Sequence, residues 1–248
     1  MTLKLGDKGP KVKELQKALG IYIDGDFGPK TEQAVKHFQK ENNLVIDGVF
    51  GKNSWSKIKQ KWSPYTSDQI KKAVLDKEFF WSPFSIVGIR NSETDNKVTN
   101  HYDDHITLTT PNEFYCWDAT TDPGLHWIKN PLNKDGCAIL APGQYANVYK
   151  IDKHQGKYDA LCQRGGKVTV FRDGNKDDIY DHKNDQSGYF GINIHRSSLY
   201  NSNSNINKWS AGCQVFQDAD DFDLFMKICK ESKQEWFTYT LIESKDIE

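Results

Sequence analysis

The sequence predicts two domains: a small all-α module at the N-terminus, followed by a larger, mainly β domain of the α+β class. A short turn motif occurs twice in the first sixty residues, flanked by apolar residues at helical spacing. The helical pattern breaks between residues 61 and 65, and from about residue 79 short β-branched runs alternate with turns rich in Gly, Pro and Asn. We therefore place the module at 1–62, a linker and bridging helix at 63–78, and the second domain at 79–248.

The composition restricts the class of partner. The 248 residues include 33 basic and 34 acidic side chains, so the chain has no field that attracts a polyanion, and nucleic acid is not expected as a partner. Aromatic residues make up 12% of the chain, enough for a core and for flat surfaces that stack on sugars. No apolar run has the length of a signal peptide or a membrane span. We expect a soluble monomer with a neutral, glycan-type partner and no membrane contact.

The N-terminal module is predicted from a repeat. Residues 23–28 (IDGDFG) and 46–51 (IDGVFG) are the same unit 23 positions apart, and each Asp-Gly pair predicts a turn before a helix. Thr31 and Ser54 stand three residues after the last glycine of each copy, where we expect their hydroxyls to cap the next helix. Apolar residues at three-and-four spacing predict three short helices packed on one another, and they include Val12, Leu15, Leu19, Ala34, Val35 and Phe38.

Over residues 3–60 this pattern resembles the peptidoglycan-binding module type 1. The resemblance implies non-covalent attachment to peptidoglycan and no chemistry. It does not indicate which side chains touch the ligand, because most of the matching residues are expected in the core or in turns. The matching residues are Leu5, Gly6, Asp7, Val12, Leu15, Gln16, Asp24, Gly25, Phe27, Gly28, Thr31, Ala34, Val35, Phe38, Gln39, Leu44, Asp47, Gly48, Gly51 and Trp55.

In the second domain, one cysteine and one histidine are placed for nucleophilic chemistry. A strand over residues 189–194 ends at His195, and a polar loop leads to Cys213. An imidazole within hydrogen-bond reach of a thiol can take its proton, and a preceding Gly212 lets substrate approach the backbone. The spacing alone also fits a buried thiol that lies near a histidine by chance. The odd number of cysteines and the absence of a C-x-x-C pair argue against a disulfide framework or zinc site: Cys116, Cys137, Cys162, Cys213 and Cys229.

The run INIH ending at His195 and the run SAGC ending at Cys213, 18 residues later, resemble the signature of the L,D-transpeptidase (YkuD-like) catalytic domain. The resemblance covers residues 185–230 and implies a β-sandwich-like domain of mixed sheets. It further implies attack by cysteine on a stem-peptide amide of peptidoglycan, giving an acyl-enzyme that an amine or water resolves. Cys213 is then the nucleophile and His195 the general base and acid, while the backbone near Ser210 and Gly212 supports the nucleophile and the oxyanion.

The chain departs from the family pattern beside the nucleophile. Ala211 and Val215 occupy positions where the family usually has a histidine and an arginine, and Arg196 follows the catalytic histidine where glycine is usual. Losing that arginine removes a bidentate partner for a substrate carboxylate. Arg196 and Gln214 are candidates to replace it, the alternative being that both face solvent. Trp209 is a third candidate for substrate contact, through its ring.

An oxygen-rich loop precedes the His195 strand. Its side chains at positions 1, 3, 5 and 9 match the spacing of a calcium loop, although Asn184 stands where a bidentate Glu is expected at position 12. The alternative is a solvated turn joining two strands. A calcium ion here would brace the loop and take no part in the reaction, which needs no cofactor. The candidate ligands are Asp173, Asn175, Asp177 and Asp181.

Three functions remain open from the sequence. The first is a cysteine hydrolase of peptidoglycan peptides, as in phage endolysins, kept in the cytoplasm until it is released to the cell wall. The second is a true L,D-transpeptidase that forms cross-links. The third is a wall-binding protein without catalytic activity. A relaxed motif and the absence of an obvious export signal favour the first.

Overall fold

The computed structural model describes residues 2–61, 63–94, 96–179, 185–199 and 205–247. The chain divides into two units, Met1–Pro64 and Tyr65–Glu248. No helix in the described ranges is long and apolar enough to cross a bilayer.

The first unit contains three short helices, α1 (Pro10–Ala18), α2 (Pro29–Glu41) and α3 (Lys52–Lys61). A proline opens each of the first two, where its missing N–H would have had no helical partner. The residue before α2 is Gly28, and no side chain caps this helix. The expected cap at Thr31 is therefore wrong: its hydroxyl lies inside the unit and donates to Asp26 O. The core consists of Leu3, Val12, Leu15, Phe27, Val35, Phe38, Phe50 and Ile58.

The two Asp-Gly turns are each held by a glutamine. Gln16 on α1 donates through Nε2 to Asp24 Oδ1 at 2.7 Å, while its Oε1 accepts from Gly25 N at 2.8 Å. On α2, Gln39 makes the equivalent bonds to the second turn, to Asp47 Oδ1 at 2.8 Å and from Gly48 N at 3.0 Å. Both glutamines are buried, so each bond forms away from water.

The second unit is mostly strands. Its helices are α4 (Ser67–Asp76), α5 (Leu125–Lys129) and α6 (Ala219–Glu231), with a 3₁₀ turn at Ser244–Asp246. Its strands are β1 (Ser85–Arg90), β2 (Asp104–Thr109), β3 (Phe114–Thr120), β4 (Cys137–Leu140), β5 (Gly143–His154), β6 (Tyr158–Gln163), β7 (Val168–Asp173), β8 (Gln186–Gly188), β9 (Ile194–Arg196), β10 (Gln214–Phe216) and β11 (Phe237–Glu243).

Eight of these strands close into a barrel in the order β1-β11-β5-β6-β9-β10-β3-β2, and β4-β7-β8 form a separate sheet. The predicted mainly β character is confirmed, whereas the predicted β-sandwich of mixed sheets is not. Closure pairs every barrel strand on both sides and leaves no barrel edge open. The pairs β1–β11 and β9–β10 are parallel.

Helix α4 occupies the segment predicted as a linker and bridging helix. Thr66 caps it with a capping box that includes Gln69. Its buried face, Ile70, Ala73 and Val74, lies in one apolar cluster with Val87, Ile89 and Ile242 of the strands. The helix is therefore part of the second unit.

Helix α6 covers the barrel beside strand β10. The sequence predicts a helix over residues 219–232, and Asp218 begins it by accepting from two backbone N–H groups. Its apolar face packs into the main core, where Phe216 contacts Phe222 and Phe225 at ring-centroid distances of 5.6 and 5.0 Å. This packing fixes the end of β10, which follows directly after Cys213.

Candidate active site

Cys213 is set apart from the other cysteines by its exposure. Four of the five thiols are buried, and only that of Cys213 is half-buried. Its Sγ accepts from Asn193 N at 3.4 Å and lies 3.5 Å from Gly191 O, to which it donates. The chain thus presents one thiol that a substrate can reach.

The residues before Cys213 form a turn that fixes the thiol. Ser210 Oγ accepts from Gly212 N at 3.1 Å and donates to Cys213 O at 2.7 Å. Gly212 has a φ of +121°, and a Cβ there would lie 2.4 Å from Ala138 O on strand β4. Only glycine fits this position. The structure therefore gives Ser210 and Gly212 a supporting position around the Cys213 thiol.

His195 lies on the strand next to Cys213. Strands β9 and β10 run parallel with Val215 opposite His195, so Cys213, two residues before Val215, is a diagonal neighbour of His195. Alternation along the strands directs Ile194 and Gln214 to one face and leaves His195 on the other.

The tautomer of His195 follows from its hydrogen bond. Nδ1 lies 2.8 Å from Arg196 O, and a carbonyl oxygen can only accept. The neutral ring therefore carries its proton on Nδ1, and Nε2 presents a lone pair. Within the part of the chain that the structure describes, no hydrogen bond joins the His195 ring to Cys213 Sγ. Catalytic hydrogen bonds are often long without substrate and tighten in the complex.

Burial shifts the pKa values of His195 and Cys213 in the directions that disfavour an imidazolium–thiolate ion pair. Burial lowers the pKa of His195 to about 3, and the nearby charges of His154 and Arg196 contribute to this lowering. The hydrogen bond to Arg196 O acts in the opposite direction and raises this pKa. Burial raises the pKa of Cys213 to about 11, while the Asn193 N–H partly offsets this. Since the thiol holds its proton far more tightly than the imidazole does, the resting state is a neutral thiol beside a neutral imidazole.

A second histidine, His154, supports the first. Its ring stacks on that of His195 with 4.1 Å between centroids and 22° between planes. Asn193 Oδ1 accepts from Gln163 N at 2.9 Å, which fixes the Asn193 amide so that Nδ2 donates to His154 Nδ1 at 3.0 Å. Sequence patterns did not identify His154, because it is 41 residues from His195 along the chain.

Gln163 at the end of β6 holds the loop that faces the thiol. Its Oε1 accepts from the backbone N–H groups of three successive residues, Phe190 at 3.1 Å, Gly191 at 3.0 Å and Ile192 at 3.2 Å. Its Nε2 donates to Gly166 O and Gly188 O. Gly191 O, the acceptor for Cys213 Sγ, is thereby fixed. The sequence offered no signal for this role.

One backbone donor beside Cys213 remains for an oxyanion. The N–H of Gly212 is used by Ser210 Oγ, and that of Gln214 donates to Asn193 O at 2.9 Å. Within the described residues, nothing accepts from the N–H of Cys213 itself. This N–H is a candidate donor to the oxygen of a tetrahedral intermediate.

The three residues predicted to contact substrate have different positions. Gln214 is fully buried, and its Oε1 accepts from Tyr239 OH at 2.9 Å, so its predicted substrate contact is not supported. Arg196 is half-buried beside His195, with its guanidinium 4.1 Å from the centre of the Tyr158 ring. Trp209 is 40% exposed in the loop before Ser210. Arg196 and Trp209 stay as predicted contacts.

The predicted calcium ligands form a turn in the part of the loop that the structure describes. Asp173 Oδ1 accepts from Lys176 N at 2.9 Å, and Asn175 Nδ2 donates to Asp177 Oδ2 at 2.8 Å. Asp181 lies outside the described residues. Within the described ranges, no three His, Cys, Asp or Glu side chains come close enough to hold a metal ion. The calcium site stays a prediction.

Comparison with known proteins identifies the first unit. Residues 8–58 match PG_binding_1, a peptidoglycan binding domain. The chain therefore carries this domain at its N-terminus, and the resemblance predicted for the first sixty residues is confirmed. No curated protein matches the chain.

Three solved structures show weaker likenesses. The Burkholderia AP3 phage endolysin is 32% identical over 32% of this chain and 33% of its own, with a TM-score of 0.24. A fused Zn-dependent amidase/peptidase/peptidoglycan-binding protein from Clostridium acetobutylicum is 15% identical over 98% of this chain and 99% of its own, with a TM-score of 0.29. The L,D-transpeptidase from Xylanimonas cellulosilytica is 17% identical over 98% of each chain, with a TM-score of 0.32. The match spans a third of the endolysin, and these low TM-scores establish neither a shared fold nor a shared activity.

Proposed function

We propose that the protein is a peptidoglycan-directed cysteine enzyme that cleaves amide bonds of stem peptides, with Cys213 as nucleophile and His195 as general base and acid. The observation that carries this proposal is the one accessible thiol of the chain, held next to a neutral histidine whose Nε2 has a free lone pair. The peptidoglycan binding domain at 8–58 supports the choice of substrate.

The pKa values favour proton transfer during attack over a preformed thiolate. As Sγ bonds to the amide carbon, His195 Nε2 takes the thiol proton, and the N–H of Cys213 donates to the developing oxyanion. Collapse of the tetrahedral intermediate breaks the C–N bond, and His195 returns the proton to the leaving amine. An acyl-thioester on Cys213 results.

Water then resolves the thioester. His195 takes a proton from the water as its oxygen bonds to the acyl carbon, and collapse releases the thiolate, which regains the proton. Transfer to an amine, the reaction of a transpeptidase, requires that water be kept from the thioester. Cys213 is half-buried, so water is only partly kept from it, and this favours hydrolysis. Cross-link formation is the alternative.

The N-terminal domain contributes binding and no chemistry. Attachment to peptidoglycan raises the effective concentration of stem peptides around Cys213 without any new contact at the active site. We propose lysis of the cell wall as the outcome, with the protein held in the cell until release.

The test uses purified sacculi and defined stem-peptide dimers, with products identified by mass. The full-length protein should release hydrolysed fragments, and Cys213→Ala should reduce the rate by about a thousandfold or more, because it removes the group that forms the acyl-enzyme. The matched control is Cys116→Ala, which removes a buried thiol on β3 and should retain activity. New cross-links would assign a transpeptidase, and no Cys213-dependent product would exclude catalysis by this thiol.

A further inference from the structure

A cavity of about 600 Å³ lies within the second unit, and Tyr158 and Arg196 are among its lining residues. It lies between the β5–β6 hairpin, the segment after β9 and helix α6. Tyr158 joins it to the active site, because its hydroxyl lies 3.5 Å from His195 Nδ1 and 3.4 Å from Arg196 O. Its volume is in the range of pockets that bind small molecules.

The cavity carries an excess of positive charge. Five of its lining residues are basic, namely Lys153, Lys157, Arg196, Lys227 and Lys230, whereas three are acidic, namely Asp159, Asp223 and Glu231. Asp159 is paired with Lys153 at 2.6 Å and Lys230 at 2.7 Å, and Glu231 lies 3.7 Å from Lys227. Lys157 and Arg196 have no carboxylate within ion-pair distance among the described residues.

These two cations lie near the histidine that stacks on His195. Both lower the pKa of His154, whose ring stacks on His195, although burial is the larger cause. The Arg196 guanidinium is oriented before any ligand binds, because it stacks on Tyr158 and its Nη1 donates to Ser197 O at 3.0 Å. Its remaining N–H groups form a planar donor set that matches a carboxylate.

Part of the cavity lining is apolar. Leu199, Phe222 and Met226 contribute to the lining, and Leu199 is 55% exposed. A bare inorganic anion makes no use of such a wall, whereas a carboxylate on a peptide brings methyl or methylene groups with it. The combination of two cations and an apolar wall favours a peptide carboxylate.

We propose that this cavity is a subsite for a carboxylate group of the stem peptide, bound by Arg196 and Lys157 next to His195. This inference rests on the proposed function and specifies which part of the substrate is recognised beside the reacting bond. Arg196 supplies directed hydrogen bonds, and Lys157, exposed on the hairpin, supplies charge. The apolar wall accommodates the carbon chain that carries the carboxylate.

The first experiment measures binding by calorimetry to full-length Cys213→Ala, which cannot turn over. The probes are a stem tetrapeptide with free carboxylates, the same peptide with its carboxylates amidated, and inorganic phosphate. The free acid should bind at least about tenfold more tightly than the amide, which corresponds to about 1.4 kcal/mol. Arg196→Gln or Lys157→Gln should remove most of this difference, and Arg196→Lys should restore part of it.

The matched control is Lys150→Gln, whose ammonium pairs with Glu235 at 2.9 Å and does not line the cavity. It should leave the preference for the free acid unchanged. The proposal is overturned if the preference survives in the Arg196→Gln, Lys157→Gln double variant. Phosphate binding as tight as that of the peptide would also overturn it, because it would show a general anion site.

A second measurement separates this inference from the proposed function. In proteins that retain Cys213, Arg196→Gln and Lys157→Gln should raise KM for free-acid peptides about tenfold and leave KM for amidated peptides unchanged. Cys213-dependent cleavage with equal KM values in all variants would contradict the subsite and leave the nucleophile in place. Carboxylate-selective binding without any Cys213-dependent cleavage would contradict the proposed function and leave the subsite in place.

Discussion

In the N-terminal unit, glutamines on two helices hold two Asp-Gly turns, whereas in the second unit Gln163 holds the loop over residues 188–192. All three side chains are buried and bond to backbone groups of a loop. The turns held by Gln16 and Gln39 present no nucleophile, while the loop held by Gln163 provides the acceptor for the Cys213 thiol.

This difference explains why the doubled Asp-Gly motif predicted a fold, whereas the Ser-x-Gly-Cys element predicted a candidate reactive group. In the first unit, the motif residues Gln16, Asp24, Gln39 and Asp47 are engaged in internal bonds. In the second, Ser210 and Gly212 are engaged in the same way, but they leave the thiol of Cys213 within reach of a substrate. The same kind of loop support therefore holds structural turns in one unit and the surroundings of a partly exposed thiol in the other.

The largest loss of stability and activity is expected from a substitution at Gly212, which belongs to the supporting turn and directly precedes Cys213. Gly212→Ala should cost about 3 kcal/mol or more, because it adds a contact of 2.4 Å with Ala138 O to the strain of a φ of +121°. Activity on stem peptides should be lost with the position of the thiol. Thermal unfolding and product release measure the two effects.

The matched control for that change is Gly191→Ala. Gly191 also has a positive φ, +70°, but a Cβ there meets nothing within 4 Å, so the cost should be about 1 kcal/mol. Equal destabilisation by both substitutions would show that the close approach to β4 does not matter.

A smaller effect is expected from removing the glutamines. Gln163→Ala leaves three backbone N–H groups without their acceptor and should cost about 2–3 kcal/mol, with a loss of activity. Gln39→Ala should cost about 2 kcal/mol in the first unit and leave cleavage of small soluble peptides unchanged. Hydrogen exchange measured by mass spectrometry on the full chain reports each unit separately. Loss of peptide cleavage in Gln39→Ala would contradict the separation of roles.

The smallest effect is expected from the turn aspartates. Hydrogen bonds from the backbone, and next from Gln16 or Gln39, lower the pKa of Asp24 and Asp47 below the ordinary value of 3.8. The folded unit then binds fewer protons than the unfolded chain, so this stabilisation is present above pH 3.8 and is lost as the pH falls through the folded pKa.

The double variant Asp24→Asn, Asp47→Asn keeps the turn hydrogen bonds and removes the charges. Hydrogen exchange in residues 2–61 should depend less on pH below 4 than in the wild type. Glu14→Gln is the control, since its carboxylate pairs with Lys11 on the same helix. An unchanged acid response in the double variant would assign the acid sensitivity to other groups.

Local patterns in the sequence predicted local features of the fold. The repeated Asp-Gly turns, the helical spacing before them and the helix over 219–232 depend on neighbours in the chain, so they were visible without the structure. The Thr31 cap was predicted by the same logic and was wrong, because its hydroxyl bonds within the unit and α2 begins at Pro29, after Gly28, without a side-chain cap. Helix α4 was visible as a helix, but its packing on strands far along the chain was not.

In the candidate site, too, some features could be predicted from local sequence and others depended on the tertiary structure. The spacing of His195 and Cys213 and the Ser-x-Gly-Cys element pointed to the two candidate reactive groups from sequence. Sequence could not place Gln214 inside the barrel or bring His154 against His195, since both depend on which strands pair across the closed sheet.

By itself, the sequence determined the peptidoglycan binding domain, through its doubled turn motif, and it singled out one cysteine next to a glycine as the candidate nucleophile. The tertiary structure decided the environment of those groups. Barrel closure, the burial that separates the pKa values of His195 and Cys213, and the cations gathered near Tyr158 all arise from contacts between residues distant in the chain. Such contacts are set by packing and desolvation over the whole domain, and a local run of residues does not encode them.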